Sequence, residues 1–173
     1  TYFFRILPKH FNKDIVKQIA DLGHEIAYHY DDLTECNGDY DKAILRFEKN
    51  LNILREIAPV QTICMDGSPL SLYDNKDLWN HYDYRDYGVI GEPYYDIDFN
   101  EVFYLTDTGR RWDGWKTSVR DKVPQQEKWN KEGLVFHSTN DIIYAANQDK
   151  LPGKIMMTFH PQRWHDSSLP WLS

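Results

Sequence analysis

Gly23–Leu33 reads GHEIAYHYDDL, a short strand-like run that leads into polar residues. A strand is predicted over His24–Tyr28, because short apolar and aromatic runs between turn residues favour the pleated sheet. His29, Asp31 and Asp32 follow this strand directly. Imidazole and carboxylate groups are metal ligands, so the exit of this strand is a candidate metal site.

The segments around this stretch alternate between strand and helix patterns. Thr1–Leu7 is predicted to be a buried strand, and apolar residues at helical spacing predict a helix that Asn12 caps. The longest predicted helix is Asp39–Ala58, and the next strand is Gln61–Met65. This alternation is typical of a parallel sheet or barrel with helices outside, so one α/β domain over residues 1–173 is expected.

The second half of the chain is less regular and rich in aromatic residues and turns. Its predicted elements are a helical stretch near Asn75–His81, strands at Tyr87–Ile90, Glu101–Leu105 (in a hairpin) and Leu134–His137, a helix from Ser138 or Thr139 to about Asp149, and a final strand in LPGKIMMTFHPQRW.

Composition and charge exclude several classes of protein. The 173 residues are 41% hydrophobic and 15% aromatic, which suits a soluble globular domain better than a disordered chain. No apolar run approaches the roughly 20 residues that span a bilayer. The net charge of −7 leaves no basic patch for nucleic acid. No secretory signal pattern is visible, so the location stays unknown.

Polar groups are predicted at three strand exits, which would share one rim if the strands are parallel neighbours. A metal held there, with one position open, would bring the pKa of a water towards neutrality, and a histidine nearby could act as general acid. The ordinary alternatives are hydrogen-bonded histidines, solvated acids and a turn aspartate. The three groups are His29 with Asp31 and Asp32, Asp66 with Ser68, and His160 with Arg163 and Trp164.

A second cluster of interest is the triplet RRW, with Tyr94, Tyr95 and Trp115 nearby. Aromatic rings stack on the apolar faces of sugars, whereas arginine stacked on tryptophan in an ordinary loop is the alternative. The predicted substrate contacts are Arg110, Arg111, Trp112, Arg163 and Trp164.

Two motifs resemble one known family. GHEIAYHYDDL resembles the second motif of the polysaccharide deacetylases, the NodB-like carbohydrate esterases, in which GHEIG precedes a metal-binding histidine. KIMMTFHPQRW resembles the late family motif, a hydrophobic strand that ends in the general-acid histidine. The TYFF run is similar to the family's second strand. The resemblance covers the first third of the chain and its last twenty residues.

The resemblance implies a distorted (β/α) barrel and a divalent metal, usually zinc, that supports removal of acetyl groups from a carbohydrate substrate. In the family, water activated by the metal attacks the acetyl carbonyl, an aspartate accepts its proton, and the late histidine protonates the leaving amine. By position, His29 is then the metal ligand and His160 the general acid.

The chain departs from the family pattern in two places. Leu33 stands where the family has its second metal histidine, so Asp32, Asp31 or Asp66 would supply an oxygen ligand instead. The family's paired aspartates lie on a strand with no counterpart before TYFF. The domain is therefore expected to lack its first strand-helix unit and its general base.

Other functions remain open beside the deacetylase. A catalytically inactive carbohydrate-binding module on the same fold would use Trp112, Trp115 and Trp164 as stacking surfaces. Another metal hydrolase on the same barrel would remove a different acyl or amide group.

Overall fold

The computed structural model of the chain describes residues 1–68, 70–108, 112 and 120–161. The chain forms two compact units, Thr1–Ile97 and Asp98–Ser173. The elements in chain order are β1 (Tyr2–Phe4), α1 (Lys13–Asp21), β2 (Ile26–Tyr30), α2 (Asp32–Glu35), α3 (Tyr40–Arg55), β3 (Ile63–Met65), 3₁₀ turns at Asn75–Asn80 and Tyr84–Tyr87, α4 (Pro93–Asp96), β4 (Phe103–Thr106), α5 (Gln126–Lys131), α6 (Thr139–Asn147) and β5 (Ile155–Thr158).

The first unit is built on a parallel sheet with the strand order β1-β2-β3. In this register Phe3 pairs with Ala27, and His29 pairs with Cys64. Because parallel strands end at the same edge, the residues that follow the three strands lie along one edge of this sheet.

The core of the first unit lies on one face of β2. The side chains of Tyr28 and Tyr30 are fully buried, and their rings contact Phe47 of α3 at centroid distances of 5.5 and 6.1 Å. Side chains alternate along a strand, so His29, which stands between the two tyrosines, points to the opposite face of the sheet. The packing of the tyrosines therefore fixes the direction of the histidine.

The helix starts follow the capping residues that the sequence indicates. Asn12 accepts hydrogen bonds from Asp14 N and Ile15 N, which confirms it as the cap of α1. Ser138 begins α6 through a reciprocal capping box with Asp141. Both signals are local in sequence, which is why they are visible without the structure.

The second unit contains a parallel pair of strands, β4 and β5, with Phe103 opposite Ile155 and Thr106 opposite Thr158. Phe103 packs edge-on against Trp129 of α5, with the ring centroids 4.9 Å apart. The strand predicted at Glu101–Leu105 is present as β4, and it pairs in parallel with a strand about fifty residues later; residues 109–111 and 113–119 of the loop in which a hairpin is predicted lie outside the described residues.

Three predictions of strands need correction. The strand predicted at His24–Tyr28 begins and ends two residues later, at Ile26–Tyr30, so His29 is inside it rather than after it. Tyr87–Ile90 is not a strand, because Gly88 ends the preceding 3₁₀ turn with a left-handed φ of 69°. Leu134–His137 is not a strand either, since Leu134 N bonds back to Trp129 O to close α5.

The described residues form a mixed α/β structure with small parallel sheets. The distorted (β/α) barrel and the single domain over residues 1–173 stay predictions. Within the ranges given above, no helix has the length and apolar character needed to cross a bilayer.

Candidate functional site

The first candidate site lies at the carboxyl edge of the sheet in the first unit. Arg5 follows β1, Asp31 follows β2, and Asp66 follows β3. Parallel pairing brings these three chain segments together although they are far apart in sequence. Charged groups of both signs therefore share this edge with the imidazole of His29.

His29 is held in one tautomer by a backbone carbonyl. Its Nδ1 lies 2.9 Å from the carbonyl oxygen of Cys64, which can only accept, so Nδ1 carries the proton and donates it. In the neutral imidazole the lone pair is then on Nε2, which lies 3.5 Å from Oδ2 of Asp66. Metal-binding histidines in proteins are commonly oriented by this kind of bond to a carbonyl.

Asp66 is fixed by the turn that it begins. Its backbone N–H donates to Tyr30 O at 2.8 Å, and its carboxylate accepts from Ser68 N at 2.9 Å and from the Ser68 hydroxyl. Burial opposes ionisation, but the hydrogen bonds from Ser68 and the electrostatic effect of the neighbouring His29 and Arg5 side chains outweigh it and lower the pKa of Asp66. Asp66 is thus an ionised carboxylate at neutral pH.

His29 and Asp66 fit two ligand positions of a divalent metal. Two ligands of one tetrahedral zinc ion lie about 3.3 Å apart, because each is about 2 Å from the metal. The 3.5 Å between His29 Nε2 and Asp66 Oδ2 is close to this separation. Within the described part of the chain, no group of three or more His, Cys, Asp or Glu side chains is placed to hold a metal ion.

Asp32 takes part in a buried network that Arg46 links to Asp31. Its side chain is 0% exposed, and its oxygens accept from Tyr28 OH at 2.8 Å, Asn50 Nδ2 at 3.3 Å and Arg46 Nη1 at 2.5 Å. Burial raises the pKa of Asp32 to about 6 against the opposing effect of these donors. The structure therefore brings His29 together with Asp66 and places the Asp32 carboxylate in the core beneath α3.

Asp31 lies between two guanidinium groups. Arg5 Nε donates to its Oδ2 at 2.9 Å and Arg46 Nη1 to its Oδ1 at 2.7 Å, while the residue is only 1% exposed. Leu33, at the position where the resemblance implies a second metal histidine, is also 1% exposed and belongs to the hydrophobic core. The turn after β2 is therefore closed by ion pairs and apolar packing.

The second candidate site lies in the second unit, at the carboxyl ends of β4 and β5. His160 and Asp107 follow these two strands, and the backbone N–H of His160 donates to Asp107 Oδ2 at 3.0 Å. Nδ1 of His160 also hydrogen-bonds to Oδ1 of the same carboxylate. Asp107 thereby fixes the ring so that Nε2 is the nitrogen left for proton exchange with a ligand.

Asp107 is a site residue that was not predicted from the sequence. The available signal was its place directly after the aromatic strand Phe103–Thr106, the same kind of strand exit that draws attention to Asp66. The pairing of β4 with β5 places this carboxylate beside His160, and this proximity is not visible in the sequence.

Of the predicted substrate contacts, the structure describes Trp112. Its side chain is 9% exposed, its indole N–H donates to Thr139 Oγ1 at 3.1 Å, and its ring packs edge-on against Phe159. Trp112 is therefore mainly a packing residue of the second unit. Arg110, Arg111, Trp115, Arg163 and Trp164 lie outside the described residues.

In comparisons with known proteins, no family model, no curated protein sequence and no solved structure matches the chain.

Proposed function

We propose that the protein is a metal-dependent hydrolase that removes acetyl groups from a carbohydrate. The observation that carries the proposal is the pairing of His29 with Asp66, in which a carbonyl holds the imidazole so that Nε2 faces a carboxylate. An oriented histidine and an ionised aspartate are groups that can hold a metal, and the carboxyl edge of a parallel sheet is where ligands bind in α/β folds.

His29 and Asp66 are the residues assigned to the metal, with zinc suited to a nitrogen and oxygen ligand pair. When bound, such an ion lowers the pKa of a water molecule and polarises the carbonyl of the acyl group. The protein's own contribution at this site is the fixed tautomer of His29 and the ionised state of Asp66.

The resemblance of KIMMTFHPQRW to the late family motif assigns His160 the role of proton donor to the leaving group. The Asp107 carboxylate accepts the Nδ1 hydrogen bond and holds the ring, so the donor atom is Nε2. Positioned acid catalysis of this kind contributes roughly a hundredfold to ten-thousandfold to a rate.

The substrate class rests on the likeness of GHEIAYHYDDL and KIMMTFHPQRW to the motifs of polysaccharide deacetylases. Acetylated sugars, with the acetyl group on nitrogen or on oxygen, are therefore the first substrates to test. Removal of a different acyl group would use the same residues. Rates measured on a panel of sugars that carry different acyl groups distinguish a deacetylase from a hydrolase of another acyl group.

The test is release of acetate from oligomers of N-acetylglucosamine and from O-acetylated xylan by the zinc-loaded protein. His160→Gln is expected to lower the rate by at least about a hundredfold. His137→Gln, a histidine of the same unit that lies before the capping box of α6, serves as the matched control and is expected to keep full activity. Equal rates in the two variants would remove His160 from the mechanism.

A second candidate function is carbohydrate binding without catalysis. It is favoured by Leu33, which is buried in the core at the position where the resemblance implies a metal histidine. Sugar affinity that is unchanged by chelation and by His29→Ala, in a protein that releases no acetate, would favour this candidate over the hydrolase.

A further inference from the structure

The carboxylate that faces His29 also faces a cation supplied by the chain. Nη1 of Arg5 lies 3.4 Å from Oδ2 of Asp66, the same oxygen that lies 3.5 Å from His29 Nε2. The guanidinium and the imidazole thus approach one carboxylate oxygen, so a metal ion on that oxygen would have a fixed positive charge beside it.

Arg5 is kept in this place by Asp31 rather than by Asp66. Its Nε and Nη2 both donate to Oδ2 of Asp31, and that carboxylate is buried. The contact with Asp66, at 3.4 Å, is the longer and weaker one. The two bonds to Asp31 therefore fix the guanidinium so that Nη1 points towards Asp66.

We infer that Arg5 sets the cation affinity of the His29–Asp66 pair: it holds Asp66 when no metal is bound and opposes metal binding by its charge. The inference rests on the proposed function, since it concerns the same metal site. A unit charge within about 5 Å in a partly buried site changes the affinity for a divalent cation by about tenfold or more.

The charge of Arg5 can be removed by substitution to glutamine while the edge of the sheet stays folded. In Arg5→Gln, Asp31 keeps its ion pair with Arg46 Nη1 at 2.7 Å, and the glutamine amide can still donate a hydrogen bond. Arg5→Lys retains the charge and changes the shape. A purely structural role of Arg5 would affect both variants alike, whereas a role through charge affects only the glutamine variant.

The experiment is calorimetric titration of the metal-free protein with zinc, at low and at moderate salt. Arg5→Gln is expected to bind zinc about tenfold more tightly than the original protein, and Arg5→Lys to stay within about threefold of it. Arg85→Gln, which removes another arginine of the first unit that pairs with Asp96 and Asp83, is the matched control and is expected to leave the affinity unchanged.

Each outcome separates this inference from the proposed function. Equal or weaker zinc binding by a folded Arg5→Gln variant, with measurable binding by the original protein, overturns the inference and leaves the hydrolase standing. Tighter binding without acetate release supports the inference and contradicts the hydrolase. If neither protein binds zinc, both fail.

Discussion

Nε2 of His29 lies 3.5 Å from Oδ2 of Asp66, although His29 belongs to β2 and Asp66 follows β3, far along the chain. The pairing depends on the parallel register that sets His29 opposite Cys64, because the Cys64 carbonyl then takes the Nδ1 proton. The geometry of this pair is the basis of the proposed metal site.

Removal of the imidazole is expected to remove most of the zinc affinity. His29→Ala should weaken zinc binding by at least about a hundredfold, since even the residues that orient metal ligands contribute tenfold to a hundredfold. His24→Ala, an exposed histidine just before the same strand, is the control and should bind zinc as the original protein does. Equal loss in both variants would point to a disturbed strand instead of a lost ligand.

Asp107→Asn is expected to slow acetate release by about a hundredfold with little change in KM, because an amide is a weaker acceptor than a carboxylate and holds the His160 ring less firmly. The split between kcat and KM separates a role in positioning the proton donor from a role in substrate binding. Asp98→Asn, at the first residue of the same unit, is the control. A kcat that stays within threefold of the original would contradict the role of Asp107.

The internal network around Asp32 is expected to stabilise the first unit. Tyr28→Phe removes a hydroxyl that donates to Asp32 and accepts from Asn50 Nδ2 at 2.9 Å, leaving both groups short of a buried partner. The free energy of unfolding should fall by about 1–3 kcal/mol in urea denaturation. Tyr144→Phe, an exposed tyrosine on α6, should change it by less than about 0.5 kcal/mol.

Glu92 should make stability depend on pH. Its carboxyl group is fully buried against Tyr30 OH and Met65 N, and burial raises its pKa from 4.5 to about 7. Because the folded pKa is the higher one, the folded state keeps a proton that the unfolded chain releases. The stability linked to Glu92 is complete below about pH 4.5 and is lost as the pH rises through 7, by about 3 kcal/mol in total.

Urea denaturation between pH 4.5 and 8 measures this effect. The glutamine in Glu92→Gln cannot titrate. The free energy of unfolding of this variant, minus that of the original protein, should therefore increase steadily from pH 4.5 to 8. A constant effect of the amide on stability does not change this trend. Glu56→Gln, an exposed residue of the same unit, should follow the original profile. Parallel profiles for Glu92→Gln and the original protein would show that Glu92 does not titrate in this window.

The parts of the fold that the sequence predicted are those with local causes. The Asn12 cap, the long helix that Asp39 caps and the apolar strand runs each depend on a few adjacent residues. The predictions of strands at Tyr87–Ile90 and Leu134–His137 were wrong. Left-handed glycines and the ends of helices determine the backbone of these segments, and an apolar pattern does not reveal them.

The candidate sites were less predictable because they depend on register between distant strands. The sequence indicated three polar residues near strand ends, His29, Asp66 and His160. It did not indicate that His29 lies beside Asp66 or that His160 binds Asp107. Nothing in the adjacent sequence distinguishes Asp31, which binds Arg5, from Asp32, whose carboxylate turns into the core towards Tyr28. Asp107 becomes a partner of His160 only through the pairing of β4 with β5.

The measurement that tests the central claim most directly is acetate release by the original protein before chelation, after chelation and after zinc is restored. A metal-dependent deacetylase is expected to release acetate from an acetylated sugar oligomer, to lose that activity with the metal, and to regain it with zinc but not in His29→Ala. Acetate release that is unaffected by chelation and by His29→Ala, or none in the zinc-loaded protein across N-acetylated and O-acetylated sugars, would contradict the proposal.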